Sequence, residues 1–158
     1  MTTKATFSYK LLGILFLTGI LFALFLPFFQ TMTDGMEREP YRFISQIQTQ
    51  DGFLTTYNGF GSFCGILNAG LSALLVLIGF LFGIKSKPLV LTGLILCLLS
   101  HLLLLLDQLA APFLLSEPDK FLGGYFLFIL SEIGLFFCLF KTVKRNKSSS
   151  DELLDHLQ

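Results

Sequence analysis

Charge is scarce in this sequence. Only 14% of its 158 residues are Asp, Glu, Lys or Arg, while 53% are hydrophobic, and the mean hydropathy is +0.73. A soluble domain carries roughly 25% charge. An ordinary soluble domain, a disordered chain and a nucleic-acid binder with a basic face are therefore excluded as expectations. Cysteine is sparse as well. Cys64, Cys97 and Cys138 lie far apart, form no CxxC or disulfide framework, and read as small apolar fillers. The two histidines are His101 and His156, and the second falls in a terminal tail, so one chain cannot hold a bis-histidine haem. No P-loop, nucleophile elbow or glycine-rich dinucleotide motif is present. The sequence therefore implies no cofactor, no metal and no enzymatic activity.

What it does contain is long apolar runs. Leu11 to Phe29 is a nearly pure apolar run, and nineteen residues at 1.5 Å each cover about 28 Å, close to a bilayer core. Further runs cover about 60–84, 88–111 and 121–140. Strict apolar–polar alternation is absent, which favours helices over a barrel. The expected fold is all-α: a polytopic membrane protein with four transmembrane helices in an up-down bundle. The first run is longer than a signal-peptide core and lacks a small-x-small cleavage site, so it reads as a retained anchor. Residues 1–147 form the expected transmembrane domain, with one larger outer loop over about 30–59, and 148–158 a short cytoplasmic tail.

The basic residues set the orientation. Lys4, Lys10, Lys85, Lys87, Lys141, Lys144, Arg145 and Lys147 fall on one side, and Arg38, Arg42 and Lys120 on the other. The positive-inside rule then places both termini in the cytoplasm of a plasma membrane, or of an inner membrane in a bacterium. Tyr9, Tyr57 and Tyr125 fall near span ends, where headgroups suit a ring with a polar tip. Short connections make spans two and three, and spans three and four, antiparallel neighbours. Span one has more freedom. In the outer loop, Glu39-Pro40 suits a helix start, Tyr41, Phe43, Ile44 and Ile47 share a side, and Gly52 is a stop. This predicts a short amphipathic helix. The tail after Ser150 reads as frayed or as one or two helical turns that touch a partner.

In layout alone, four spans with a larger first outer loop resemble tetraspan proteins such as the claudin group. The chain has no Trp and no cysteine pair in that loop, so nothing of that family is carried over.

Small residues Gly61, Gly65, Ala69 and Ala73 recur every fourth position in span two and predict a close helix contact. The polar candidates are His101 and Glu132, inside spans three and four, with Asp107 near the outer boundary and Asn68 in span two. Depth estimates allow a His101–Glu132 pair, either as a structural lock fixing helix register or as a proton relay. Asp107 reads as interfacial, and Asn68 as a hydrogen-bonding group across the bundle. Three functions compete. The first is a non-enzymatic accessory, scaffold or assembly subunit of a membrane complex, with the lipid bilayer, other membrane subunits or a second copy as partners and no nucleic acid. The second is a small oligomeric transporter or channel using His101 and Glu132 for protons or cations. The third is a membrane enzyme acting on lipid.

Overall fold

The computed structural model describes residues 2–39, 41–81, 87–110 and 120–155, with side chains over 8–39, 41–79, 87–106 and 120–143. The chain runs α1 (Thr2–Ala23), β1 (Pro27–Thr33), β2 (Phe43–Gln48), β3 (Phe53–Asn58), a 3-10 turn (Gly59–Gly61), α2 (Phe63–Leu81), α3 (Lys87–Ala110), β4 (Lys120–Phe121) and α4 (Gly123–Asp155). The four strands form one antiparallel sheet in the order β2-β3-β1-β4. The fold is mixed α/β, which overturns the all-α four-helix membrane bundle expected from the apolar runs. Among the described residues, two helices are long and apolar enough to cross a membrane: Lys87–Leu106 of α3 and Gly123–Val143 of α4. Ser8–Ala23 and Phe63–Gly79 are shorter apolar helices.

The first correction lies at Pro27. The apolar run to Phe29 reads as continuous helix, but α1 ends at Ala23 and Pro27 opens β1. Proline lacks an N–H and is tolerated at the first residue of a strand. The second lies in the outer loop, where an amphipathic helix was expected and β2 is observed. Phe43-Ile44-Ser45-Gln46-Ile47-Gln48 is too short for a helical period to be told from a strand. Pairing decides, because β3 offers a partner edge, with Gln46 opposite Thr55 and Ile47 opposite Leu54. Gly52 does not stop a helix but turns the β2–β3 hairpin. Its φ of +143° suits only glycine, and a Cβ there would lie 2.8 Å from Thr33 O. Pro40 lies outside the described residues, as do the connections 82–86 and 111–119 and the tail residue His156.

The sheet caps the end of the helices where α1 finishes and α2 and α4 begin. Backbone bonds tie the two layers: Gly59 N–H donates to Leu24 O (2.9 Å) and Leu122 N–H to Phe28 O (2.8 Å). Phe28 is 1% exposed and drives its ring from β1 into the helices, edge-on to Tyr125 and Phe128. The core continues through Ile20, Leu24, Leu135, Leu139 and Val90. α1, the span with most freedom by loop length, packs most extensively on α4. Gly19 faces Ser131 there and Gly134 faces the Phe16 ring, so small residues permit the approach. The backbone helix of α4 continues to Asp155, through the segment expected to be a tail.

The small-residue stripe on α2 divides. Gly61 precedes the helix and packs against Arg42 O and the Tyr57 ring. Gly65 faces Gly59 O and the Phe28 ring, Ala69 is buried in the core and Ala73 is half-buried. At its upper end the stripe therefore seats the sheet's exit turn rather than another helix. Gly70, by contrast, faces open space. Gly65→Ala should cost about 1–3 kcal/mol through overpacking against backbone, while Gly70→Ala should be neutral or slightly stabilising. Thermal unfolding in detergent checks this, and equal midpoints for the two variants would refute the packing assignment.

Candidate functional site

Below the sheet, polar side chains from α2, α3 and α4 converge on His101. Its Nε2 lies 2.6 Å from Glu132 Oε2 and 3.1 Å from Asn68 Nδ2. Its Nδ1 lies 3.0 Å from Tyr125 Oη and 3.4 Å from Cys64 Sγ. Asn68 is fully buried; Ser100 Oγ donates to its Oδ1 (2.6 Å), and its Nδ2 donates to Cys97 O (3.5 Å). Ser100 Oγ is also 3.4 Å from Cys64 Sγ. Side-chain exposure is 12% for His101 and 6% for Glu132.

Helical spacing produces this cluster. Cys64 and Asn68 stand four apart on α2, and Cys97 and His101 four apart on α3, so each pair shares a helix face. Tyr125 and Glu132 are seven apart on α4, two turns along the same face. Those three faces meet because α2 packs on α3 and α3 on α4.

Of the residues singled out from sequence, the structure brings His101, Glu132 and Asn68 together. The Asp107 side chain lies outside the described residues. Sequence reasoning missed three members. Tyr125 is 4% exposed and supports the His101 ring, so it is not a headgroup tyrosine. Cys64 touches the ring rather than merely filling space, and Ser100 clamps Asn68. The four-residue spacings of Cys64–Asn68 and Cys97–His101 were the available signal.

A proton assignment follows from the network. With Nε2–H donated to Glu132 Oε2, Nδ1 keeps its lone pair toward Tyr125 and Cys64. Asn68 then spends its N–H on Cys97 O, since a protonated Nε2 accepts nothing. Glu132 Oε1 and Ser72 Oγ are the buried side-chain oxygens without a hydrogen-bond partner among the described residues. Among those residues no group of three His, Cys, Asp or Glu is disposed to hold a metal ion. No family model matches this chain, and no curated protein or solved structure matches it either.

The geometry separates two roles for the carboxylate. Glu132→Gln keeps an acceptor oxygen for Nε2–H and should unfold near the parent temperature. Glu132→Leu strands a buried N–H and should cost about 1–3 kcal/mol, a drop in thermal midpoint of roughly 3–10 °C. A Leu variant as stable as the parent would show that the 2.6 Å contact contributes no net stability.

Proposed function

We propose that the chain is an integral membrane protein that works through contacts, as an accessory or assembly subunit of a membrane complex. The observation that carries this reading is an inverted exposure pattern. Leu15, Leu103, Leu130 and Ile133 are 59–65% exposed on the helices, whereas Asn68, Ser100, Ser131, Glu132 and Thr142 are at most 8% exposed. In water such an apolar surface is a strong liability; in lipid it is the expected exterior. α3 and α4 supply the lengths that cross, and α1 and α2 pack with them.

Lys87 at the start of α3 and Lys141 at the end of the apolar stretch of α4 mark one end of the crossing segments of these antiparallel helices, and the sheet caps the other. The positive-inside rule puts the lysine end in the cytoplasm and the sheet outside. The contact role is supported by the interior below the cluster. From Glu132 away from the sheet, the next buried residues on α4 are Leu135, Phe136, Cys138 and Leu139, followed by Thr142 and Val143. Thr142 Oγ1 is spent on Cys138 O at 2.8 Å. This offers protons a poor path and suits a polar lock better than a conduit.

Four measurements test the proposal. The protein should stay in the membrane fraction through alkaline carbonate. In a variant without native cysteines, an impermeant thiol reagent applied from outside should label Asp51→Cys and leave Ser148→Cys untouched; the reverse labelling overturns the orientation. Isolation in mild detergent should recover stoichiometric membrane partners. Proton or cation flux in liposomes holding the pure protein would favour transport instead.

A further inference from the structure

A groove of about 400 Å3 lies between α2 and α3. Its walls are apolar, with Leu67 and Leu71 on α2 and Leu96 and Leu99 on α3, and its polar groups include Cys64 and Ser100. Leu67, Leu96 and Leu99 are each more than 40% exposed, so the groove opens on the apolar exterior. Volume, apolar walls and a few convergent polar groups are the features of a ligand site.

The polar end of this groove is chemically equipped. Cys64 Sγ stands 3.4 Å from His101 Nδ1, and the opposite ring nitrogen stands 2.6 Å from Glu132 Oε2. Thiol, imidazole and orienting carboxylate are in the order of an activated nucleophile. Cys64 is also the second residue of α2, after Ser62, whose Oγ accepts from Gly65 N–H at 3.4 Å. The amino end of the helix therefore meets negative charge that develops on sulfur. A register lock needs Glu132, Asn68 and Ser100. It does not need a thiol on the acceptor side of the ring that also fronts a cavity.

We infer that Cys64 is a self-acylating thiol that takes a long-chain acyl group from an ester carbonyl, with the chain then lying in the α2–α3 groove. The inference rests on the membrane placement proposed above. The thiol proton moves from Sγ to His101 Nδ1, and Glu132 holds the resulting imidazolium. Sulfur attacks the acyl carbonyl carbon, the S–C bond forms and the bond to the leaving group breaks. The leaving alkoxide or thiolate takes the proton from Nδ1. The products are a Cys64 thioester and a free alcohol or thiol, with no change in oxidation state. Depth agrees with this chemistry. Cys64 lies in the first turn of α2, beside the sheet, where hydrocarbon meets headgroups and where glycerolipid ester carbonyls sit. Leu67 and Leu71 continue the groove one and two turns toward the bilayer centre. The acyl donor is a membrane glycerolipid or an acyl thioester, which present the same carbonyl.

The full chain in detergent micelles is incubated with phosphatidylcholine bearing an alkyne-tagged long chain or, in a second arm, with the same chain as an N-acetylcysteamine thioester. Peptide mass spectrometry should find one acyl group per chain, on Cys64 and released by neutral hydroxylamine; the arm that reacts names the source. His101→Gln should slow the reaction about 100-fold or more. Glu132→Gln, folded by its thermal midpoint, should slow it as well, because Glu132 acts as a positioning residue. Leu96→Trp, which fills the groove wall, should slow transfer of the long chain at least tenfold more than transfer of an acetyl group from its thioester, and equal slowing of the two would overturn the groove assignment. No adduct in either arm, an adduct on Cys97 or Cys138 formed as fast as on Cys64, or a folded His101→Gln variant reacting at the parent rate overturns the inference. Micelles remove the dependence on bilayer insertion, so carbonate extraction and acylation fail independently.

Discussion

A histidine and a carboxylate enclosed among apolar helices need partners, and much of the arrangement follows from supplying them. His101 and Glu132 come from different helices, so their 2.6 Å contact fixes the register of α3 against α4. Satisfying the rest of the ring recruits α2 through Asn68 and Cys64, and Tyr125 from the start of α4. Slipping any one of these helices by a turn, about 5.4 Å, breaks several bonds at once. Apolar packing alone carries no comparable penalty, because Leu and Phe accept many neighbours. The polar cluster therefore selects one packing among many of similar apolar burial.

The sheet extends that constraint to the end of the helices. Tyr125 supports the His101 ring and also stacks on Phe121 of β4, at 4.5 Å between ring centroids. Phe121 pairs in the sheet with Phe29 of β1, and the adjacent Phe28 ring reaches Tyr125 and Phe128. A short aromatic chain thus joins strand pairing to the polar cluster. Gly65 lets the exit turn of the sheet sit on α2, and Gly59 lets the same turn approach Leu24 and the Phe28 ring, at distances no side chain would allow. The sheet is consequently part of the packing of α1, α2 and α4 and not an appendage to it.

The sequence made some of this legible and hid the rest for physical reasons. Each apolar run overlaps one of the four helices among the described residues, but together the runs misread the fold as an all-helical bundle, and the cost of burying His101 and Glu132 marked the centre of the cluster. The sheet was invisible for two reasons. Pro27-Phe28-Phe29 continues the hydropathy of α1, so composition gives no boundary, and only the missing proline N–H signals one. In β2, Ile44 and Ile47 satisfy a helical period over a segment too short to exclude a strand, and the deciding partner, β3, is remote information. Tyr125 was misplaced because a tyrosine near a span end has two good environments, the headgroups and a buried acceptor. The choice depends on His101 standing across from it on another helix.

The two faces of the His101 ring are under unequal constraint. Nε2 is held by a short contact to a buried carboxylate, whereas Nδ1 is shared between Tyr125 Oη at 3.0 Å and Cys64 Sγ at 3.4 Å. A phenol is a much better hydrogen-bond donor than a thiol. Tyr125 Oη is therefore the stronger donor to that lone pair, and Cys64 Sγ shares it at the longer distance. Tyr125 Oη can release Nδ1 by rotating its hydroxyl, with no heavy atom moving. The ring that locks the helices through Nε2 thus presents Nδ1 to a phenol on α4 and a thiol on α2 at once, so the same side chain ties three helices together.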